Sequence, residues 1–194
     1  MGSCNSGGKG GGGGVSIRSV IGKQRKARTP SEALANTNPN YNQGKEWQVN
    51  CQRCVYAYEL QRRGYDVEAQ QRILNGTDPM NNGVWKNGFE NQTWERGLGM
   101  RTDHVERNVV SKMQGWGDGS RAIVYVAWRS GNAHVFNIEN EGGHVSIFDG
   151  QSGRKLSLSD YLLHAKPSST MISRVDNLKP NVNVLRYAVK KKGT

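Results

Sequence analysis

Residues 49–67 read VNCQRCVYAYELQRRGYDV, and this stretch decides the fold class. Asn50 suits a helix N-cap and Gly64 suits a stop. Between them, positions 51, 54, 55 and 58 fall on one stripe, and Ala57 and Leu60 widen it. The pattern predicts a helix buried over much of its surface. Beyond this helix the chain changes character. Residues 75–102 are rich in Gly, Asn and Trp and read as a long irregular insertion. Asp103 opens a second helix, with Glu106 completing a capping box and Val105, Val109 and Met113 on one face. Then come strands. AIVYVAW (122–128) is a continuous apolar run and reads as a central strand. HVFNIEN and HVSIFDG alternate and read as a hairpin. SLSDYLLHA (157–165) reads as a short helix capped by Ser157 or Ser159, and NVLRYAV (183–189) as a closing strand. Helix first and antiparallel sheet after is an α+β layout.

The 194 residues suffice for one domain. The expected division is a disordered Gly-rich and basic tail over 1–30, a catalytic domain over 31–189 and a basic tail over 190–194. The formal net charge is +11, of which residues 1–30 carry +6 and residues 190–192 carry +3. The basicity therefore sits mostly in the tails, and the core is not expected to bind nucleic acid. No apolar run is long enough to span a membrane, and no secretory signal opens the chain. The expectation is a soluble protein; if it leaves its cell for a target cell, some other route delivers it. MGSCNS fits an N-myristoylation pattern through Gly2 and Ser6, with Cys4 available for a second acyl chain. Membrane contact is expected only if that end is acylated. A flexible tether is the plainer reading.

Cys51 and Cys54 pose the question of chemistry. Three cysteines imply no disulfide framework. Structural zinc needs four ligands, and there is no second CxxC and no HxxxH. No metal or other cofactor is expected. A thioredoxin-like pair would follow a strand, but the preceding PNYNQGKEWQVN reads as loop. A buried core role or a nucleophile remains. A cysteine in a helix's first turn meets free N–H groups and the positive end of the dipole. Both favour a thiolate, and a nearby imidazolium favours it further.

The hairpin offers the imidazole. With Glu141-Gly142 as a two-residue turn, Ile138 faces Val145, Phe136 faces Ile147 and His134 faces Asp149. That face is apolar except at one end, where His and Asp stand side by side. A carboxylate there fixes the imidazole tautomer and stabilises its protonated form. The cysteine helix is the natural element to pack on this face. A slip of one residue would put His134 and Asp149 on opposite faces. His144 projects from the other face by the turn, His104 sits in a helix's first turn, and His164 ends a helix.

NCQRCVYAYELQRRGYDV, AHVFNIEN and FDGQSG together resemble the papain-fold toxin (Tox-PL) family, over roughly residues 36–180. The resemblance implies a papain-like core and a toxin or effector glutamine deamidase of bacterial or phage-associated systems. It implies a Cys-His-Asp triad of Cys51, His134 and Asp149, a protein substrate, and an immunity or other partner protein. CQRC also resembles the CGSC of papain-like proteases, which would make Cys54 the nucleophile. Cys51 is preferred because it directly follows Asn50 and has more free N–H groups beside it. The Cys51 N–H is the natural first oxyanion donor, with the Gln48 side chain as second. Gln151 is a candidate to touch Asp149 or the substrate. A peptidase or isopeptidase with the same triad, and a non-catalytic adaptor, remain as alternatives. Trp85, Trp94 and Trp116 either dock a target or cover the core.

Overall fold

A computed structural model describes residues 14–192. The glycine run and the acylation pattern at Gly2, Cys4 and Ser6 lie outside the described residues, as do residues 193–194. Seven helices are present among the described residues: α1 (Ile17–Ile21), α2 (Pro30–Thr37), α3 (Lys45–Gln48), α4 (Cys51–Arg62), α5 (Thr102–Trp116), α6 (Leu158–Leu163) and α7 (Val182–Ala188). The strands are β1 (Val67–Ala69), β2 (Arg121–Ala127), β3 (Ala133–Glu141), β4 (His144–Asp149), β5 (Arg154–Leu156), β6 (Met171–Arg174) and β7 (Val189–Lys191).

An antiparallel five-stranded sheet in the order β5-β4-β3-β2-β6 forms the centre. Alternation gives it two buried faces. Ala122, Val124, Val126, Phe136, Ile138 and Ile147 share a core with Val105, Val109 and Met113 of α5 and with Leu158 and Leu162 of α6. Ile123 and Val135, on the other face, join the core containing Cys54, Val55, Ala57 and Leu60 of α4. Asn137 donates to the Val55 carbonyl, and Tyr58 donates to Glu139, so polar groups also join α4 to this face.

The helix α4 is buried from Arg53 to Gln61 without being apolar all round. Its charged side chains find ion-pair partners inside, although Arg53 Nε and Nη1 stay buried without a hydrogen-bond partner. Arg53 pairs with Asp78 at 2.7 Å, Glu59 with Arg63 and Arg121, and Arg62 with Glu139. The apolar stripe predicts the helix but not these buried ion pairs.

The hairpin turn lies one residue later than expected. Gly142 and Gly143 form it, with φ of 61° and 90°, the left-handed pair of a type I′ turn. Ile138 therefore faces Ile147 and Asn140 faces Val145. Moving the turn by one residue shifts the pairing by two. Each side chain keeps its face, so His134 and Asp149 stay together but sit diagonally rather than directly opposed.

Other expectations are corrected. Residues 183–189 are a helix followed by a short strand, not a strand. Asn181 caps it by accepting from the Asn183 N–H, and Val184, Leu185 and Ala188 bury one helical face. α5 starts at Thr102 with Arg101 at its cap, and no capping box forms. Asp103 instead pairs with Arg101 and Arg107. The basic stretch before residue 30 is packed where it is described. Ile21 is fully buried, the Arg25 N–H donates to the Gly64 carbonyl, and Arg28 pairs with Asp66. Lys190 and Lys191 belong to β7, paired with β1, rather than to a tail. The tryptophans cover the core: Trp85 lies in the α4 cluster with Trp94 packed against it, and Trp116 packs against the α5 cluster.

Candidate active site

Three elements converge at one end of the sheet. Cys51 is the first residue of α4 and is partly exposed. His134 is the second residue of β3, and Asp149 ends β4. His134 Nε2 lies 3.3 Å from Asp149 Oδ2, with both side chains nearly buried. The Nδ1 atom is then the nitrogen left for Cys51, whose side chain lies close enough to raise the His134 pKa. One expectation changes here. The face carrying His134 packs on α5 and α6, and α4 packs on the other face. Imidazole and thiol meet because each lies at the very end of its element, not because the helix lies across that face.

The electrostatics follow from burial and partners. Burial opposes a charged His134, but its bonds to Asp149 and Cys51 and their charges raise its pKa well above the ordinary imidazole range. Burial likewise opposes a charged Asp149. Donation from His134, the imidazolium charge, Tyr161 and Ser152 together hold its carboxyl below the ordinary range. The raised His134 contributes stability that is complete below about pH 6.5 and is lost as pH rises through the raised value. The lowered Asp149 contributes stability present above about pH 3.9 and lost as pH falls through the lowered value. The pair is therefore fully stabilising between about pH 3.9 and 6.5.

Asn50 holds the cap position, but its side chain makes no capping bond. It is buried, exchanges hydrogen bonds with Asn38 and donates to the Gln70 carbonyl at 3.0 Å. The first N–H groups of α4, with no carbonyl behind them in the helix, are therefore left without a side-chain cap. Asn50 also accepts from Cys54 Sγ at 3.2 Å. Cys54 lies one turn in and is 1% exposed. Burial, then the charges of Cys51 and Asp149, push its thiol well up.

Gln48 ends α3, and its side chain is exposed. Its carbonyl accepts from the side-chain amide of Gln151. Gln151 is buried, and its N–H donates to Asp149 Oδ1 at 3.1 Å. Gln151 thus ties the end of β4 to the segment before Cys51. Its side chain is engaged there rather than presented outward. Asn38 reinforces the join, donating to the carbonyls of Trp47 and Gln151. Gly150 has no room for a side chain: a Cβ would lie 2.7 Å from Thr37 Cγ2. The DGQ step can therefore press against α2. Among the described residues, no group of three or more His, Cys, Asp and Glu is arranged to hold a metal ion. No helix there is long and apolar enough to cross a membrane.

With this geometry in place, the sequence match acquires its meaning. A family model described as papain fold toxin 1, glutamine deamidase, matches residues 49–154, more than half of the chain. The chain belongs to this family. No curated protein and no solved structure matches it. The papain-fold toxin 1 match begins two residues before Cys51 and ends beyond the turn after Asp149. It covers Cys51, His134, Asp149 and Gln151. The helix α6 lies outside it.

That helix supplies partners missed in the sequence. Tyr161 donates to Asp149 Oδ2 at 2.6 Å, and Ser152 Oγ donates to the same oxygen at 2.8 Å. Trp128 stacks on His134 with centroids 5.9 Å apart at 22°, and Tyr161 packs edge-on against Phe136. The Asp-x-x-Ser spacing at 149–152 was a legible turn signal. The tyrosine had no local signal, because its partner is set by how α6 docks. Tyr161→Phe removes one of the donors that hold Asp149 ionised. The expected result is a fall in kcat of roughly 10-fold, with KM little changed and the acid limb of the pH profile moved upward. Unchanged kcat and an unmoved limb in steady-state kinetics would remove Tyr161 from the site.

Proposed function

We propose that this papain-fold protein is a cysteine amidohydrolase that converts a glutamine side chain of a target protein to glutamate. The observation that supports it is the contact of one imidazole with both a helix-terminal cysteine and a buried carboxylate. Cys51 Sγ attacks the carboxamide carbon. The Cys51 proton passes to His134, which delivers a proton to the leaving nitrogen, and ammonia departs. Water then attacks the thioester with His134 as base, and the thiol is restored. Asp149 fixes the tautomer and stabilises the imidazolium. The uncapped first N–H groups of α4, beginning with Cys51, are suited to receive the developing oxyanion. The Gln48 side chain, exposed three residues before Cys51, is the proposed second donor. Cys54 is a poor alternative nucleophile because its thiol is buried and committed to Asn50.

Incubation with glutamine-containing protein and then intact mass spectrometry tests this. The expected product gains about 1 Da per modified glutamine and is not fragmented. Fragments in place of that gain would reassign the same thioester chemistry to a peptidase.

A further inference from the structure

An open cleft of about 460 Å³ begins at the chain neighbours of the proposed catalytic pair, Gln52 and Ala133. Its size is in the range of ligand sites. Trp85 and Tyr125 form an aromatic wall, their rings stacked 5.9 Å apart at 26°. Lys86 stands over it, its ammonium 5.6 Å from the Trp85 ring centroid, and Arg96 also lines the cleft. Neither cation makes an ion pair among the described residues, and no carboxylate lines the cleft there. The adjacent Glu95 is already taken by Lys112.

Two unpaired cations beside an aromatic wall raise the local concentration of anionic groups and leave an apolar surface to bury against. We propose that this cleft receives a segment of the substrate protein that carries a carboxylate side chain near the target glutamine. The inference rests on the deamidase reading and names its substrate class. Acid and apolar contacts made here place the neighbouring glutamine at Cys51. The cleft would discriminate against segments with basic flanks by like-charge repulsion.

The test uses two peptides with a single central glutamine that differ only in Glu or Ala at the flanking positions. Binding to full-length Cys51→Ala protein is monitored by tryptophan fluorescence. The acidic peptide is expected to bind roughly 10-fold tighter at low salt, with the difference shrinking toward 1 M salt. Lys86→Glu with Arg96→Glu is expected to erase the preference, and Arg96→Gln alone to halve it or more in a protein of wild-type circular dichroism. Equal affinities, no binding of either peptide at millimolar concentration, or a preference surviving the double charge reversal would overturn the cleft assignment. Mass analysis of both peptides after wild-type treatment separates the two ideas. Mass gain regardless of flank keeps the chemistry and overturns the cleft. Preferential binding without mass gain keeps the cleft and overturns the chemistry.

Discussion

Replacing His134 with alanine lowers deamidation by roughly 10³-fold, and Cys51→Ala abolishes it. The expectation rests on how few partners the thiol has. Cys51 sits at an uncapped helix start, with His134 beside it as the proposed base. Without the imidazole, the thiol loses the group proposed to take its proton and return one to the leaving nitrogen. Alkylation by iodoacetamide isolates this step from substrate binding. In the wild type, Cys51 is expected to react faster than in His134→Ala protein, because the imidazole beside it can take the thiol proton. In His134→Ala the same reaction should slow by roughly 10-fold or more. Cys54 should stay unmodified in both proteins, since it is buried and its thiol is held protonated. Rapid labelling of Cys54, or identical Cys51 profiles in the two proteins, would contradict the proposed division of roles.

Asp149 illustrates what a sequence discloses about such a site. Two short-range rules put it beside His134. Strand alternation placed both residues on one face, and a turn between two short runs set the register. The register was misplaced by two, because Gly142-Gly143 rather than Glu141-Gly142 supplies the left-handed turn. An error of two preserves faces, so the adjacency survived it. The position of α4 was a different matter. Periodicity says that a helix is buried but not which face of the sheet it chooses. The helix chose the face with Asn137 and Glu139, where its own Tyr58, Arg62 and backbone find partners. Those partners lie some 80 positions away in the chain.

The same distance problem explains the missed supports. Tyr161, Trp128 and Asn38 each contribute through an element docked from elsewhere in the chain. Local patterns do not encode such docking. The segment 183–189 was misread for another reason. Its mixture of Val, Leu, Tyr and Ala fits either a strand or a helix, and the cap at Asn181 together with packing decided for the helix.

The largest effect on stability is expected at Glu59, far from the reacting atoms. This carboxylate is fully buried and accepts from Arg63 Nε at 2.7 Å and from Arg121 Nε and Nη2 at 2.7 and 3.0 Å. Arg121 begins β2, while Glu59 and Arg63 lie in and at the end of α4. One side chain thus joins the proposed nucleophile's helix to the central sheet. Bonds to Glu59 keep the Arg121 guanidinium charged against the penalty of burial. Glu59→Ala leaves both guanidiniums without their carboxylate, and Arg63 then keeps only its bonds to the carbonyls of Leu178 and Val175. Stranding a buried charge in this way costs about 3–5 kcal/mol. Urea unfolding monitored by circular dichroism should report that loss, with a melting temperature lower by roughly 6–20 °C for a chain of this size. Adding Arg121→Met to Glu59→Leu is expected to recover the share due to Arg121, because that partner is then removed together with the carboxylate rather than stranded. A Glu59→Ala loss below about 0.5 kcal/mol would put this network in the range of ordinary surface substitutions. The orientation of α4, and with it the placement of Cys51 against His134, would then rest on apolar packing and on the contacts of Tyr58, Arg62 and the Val55 carbonyl.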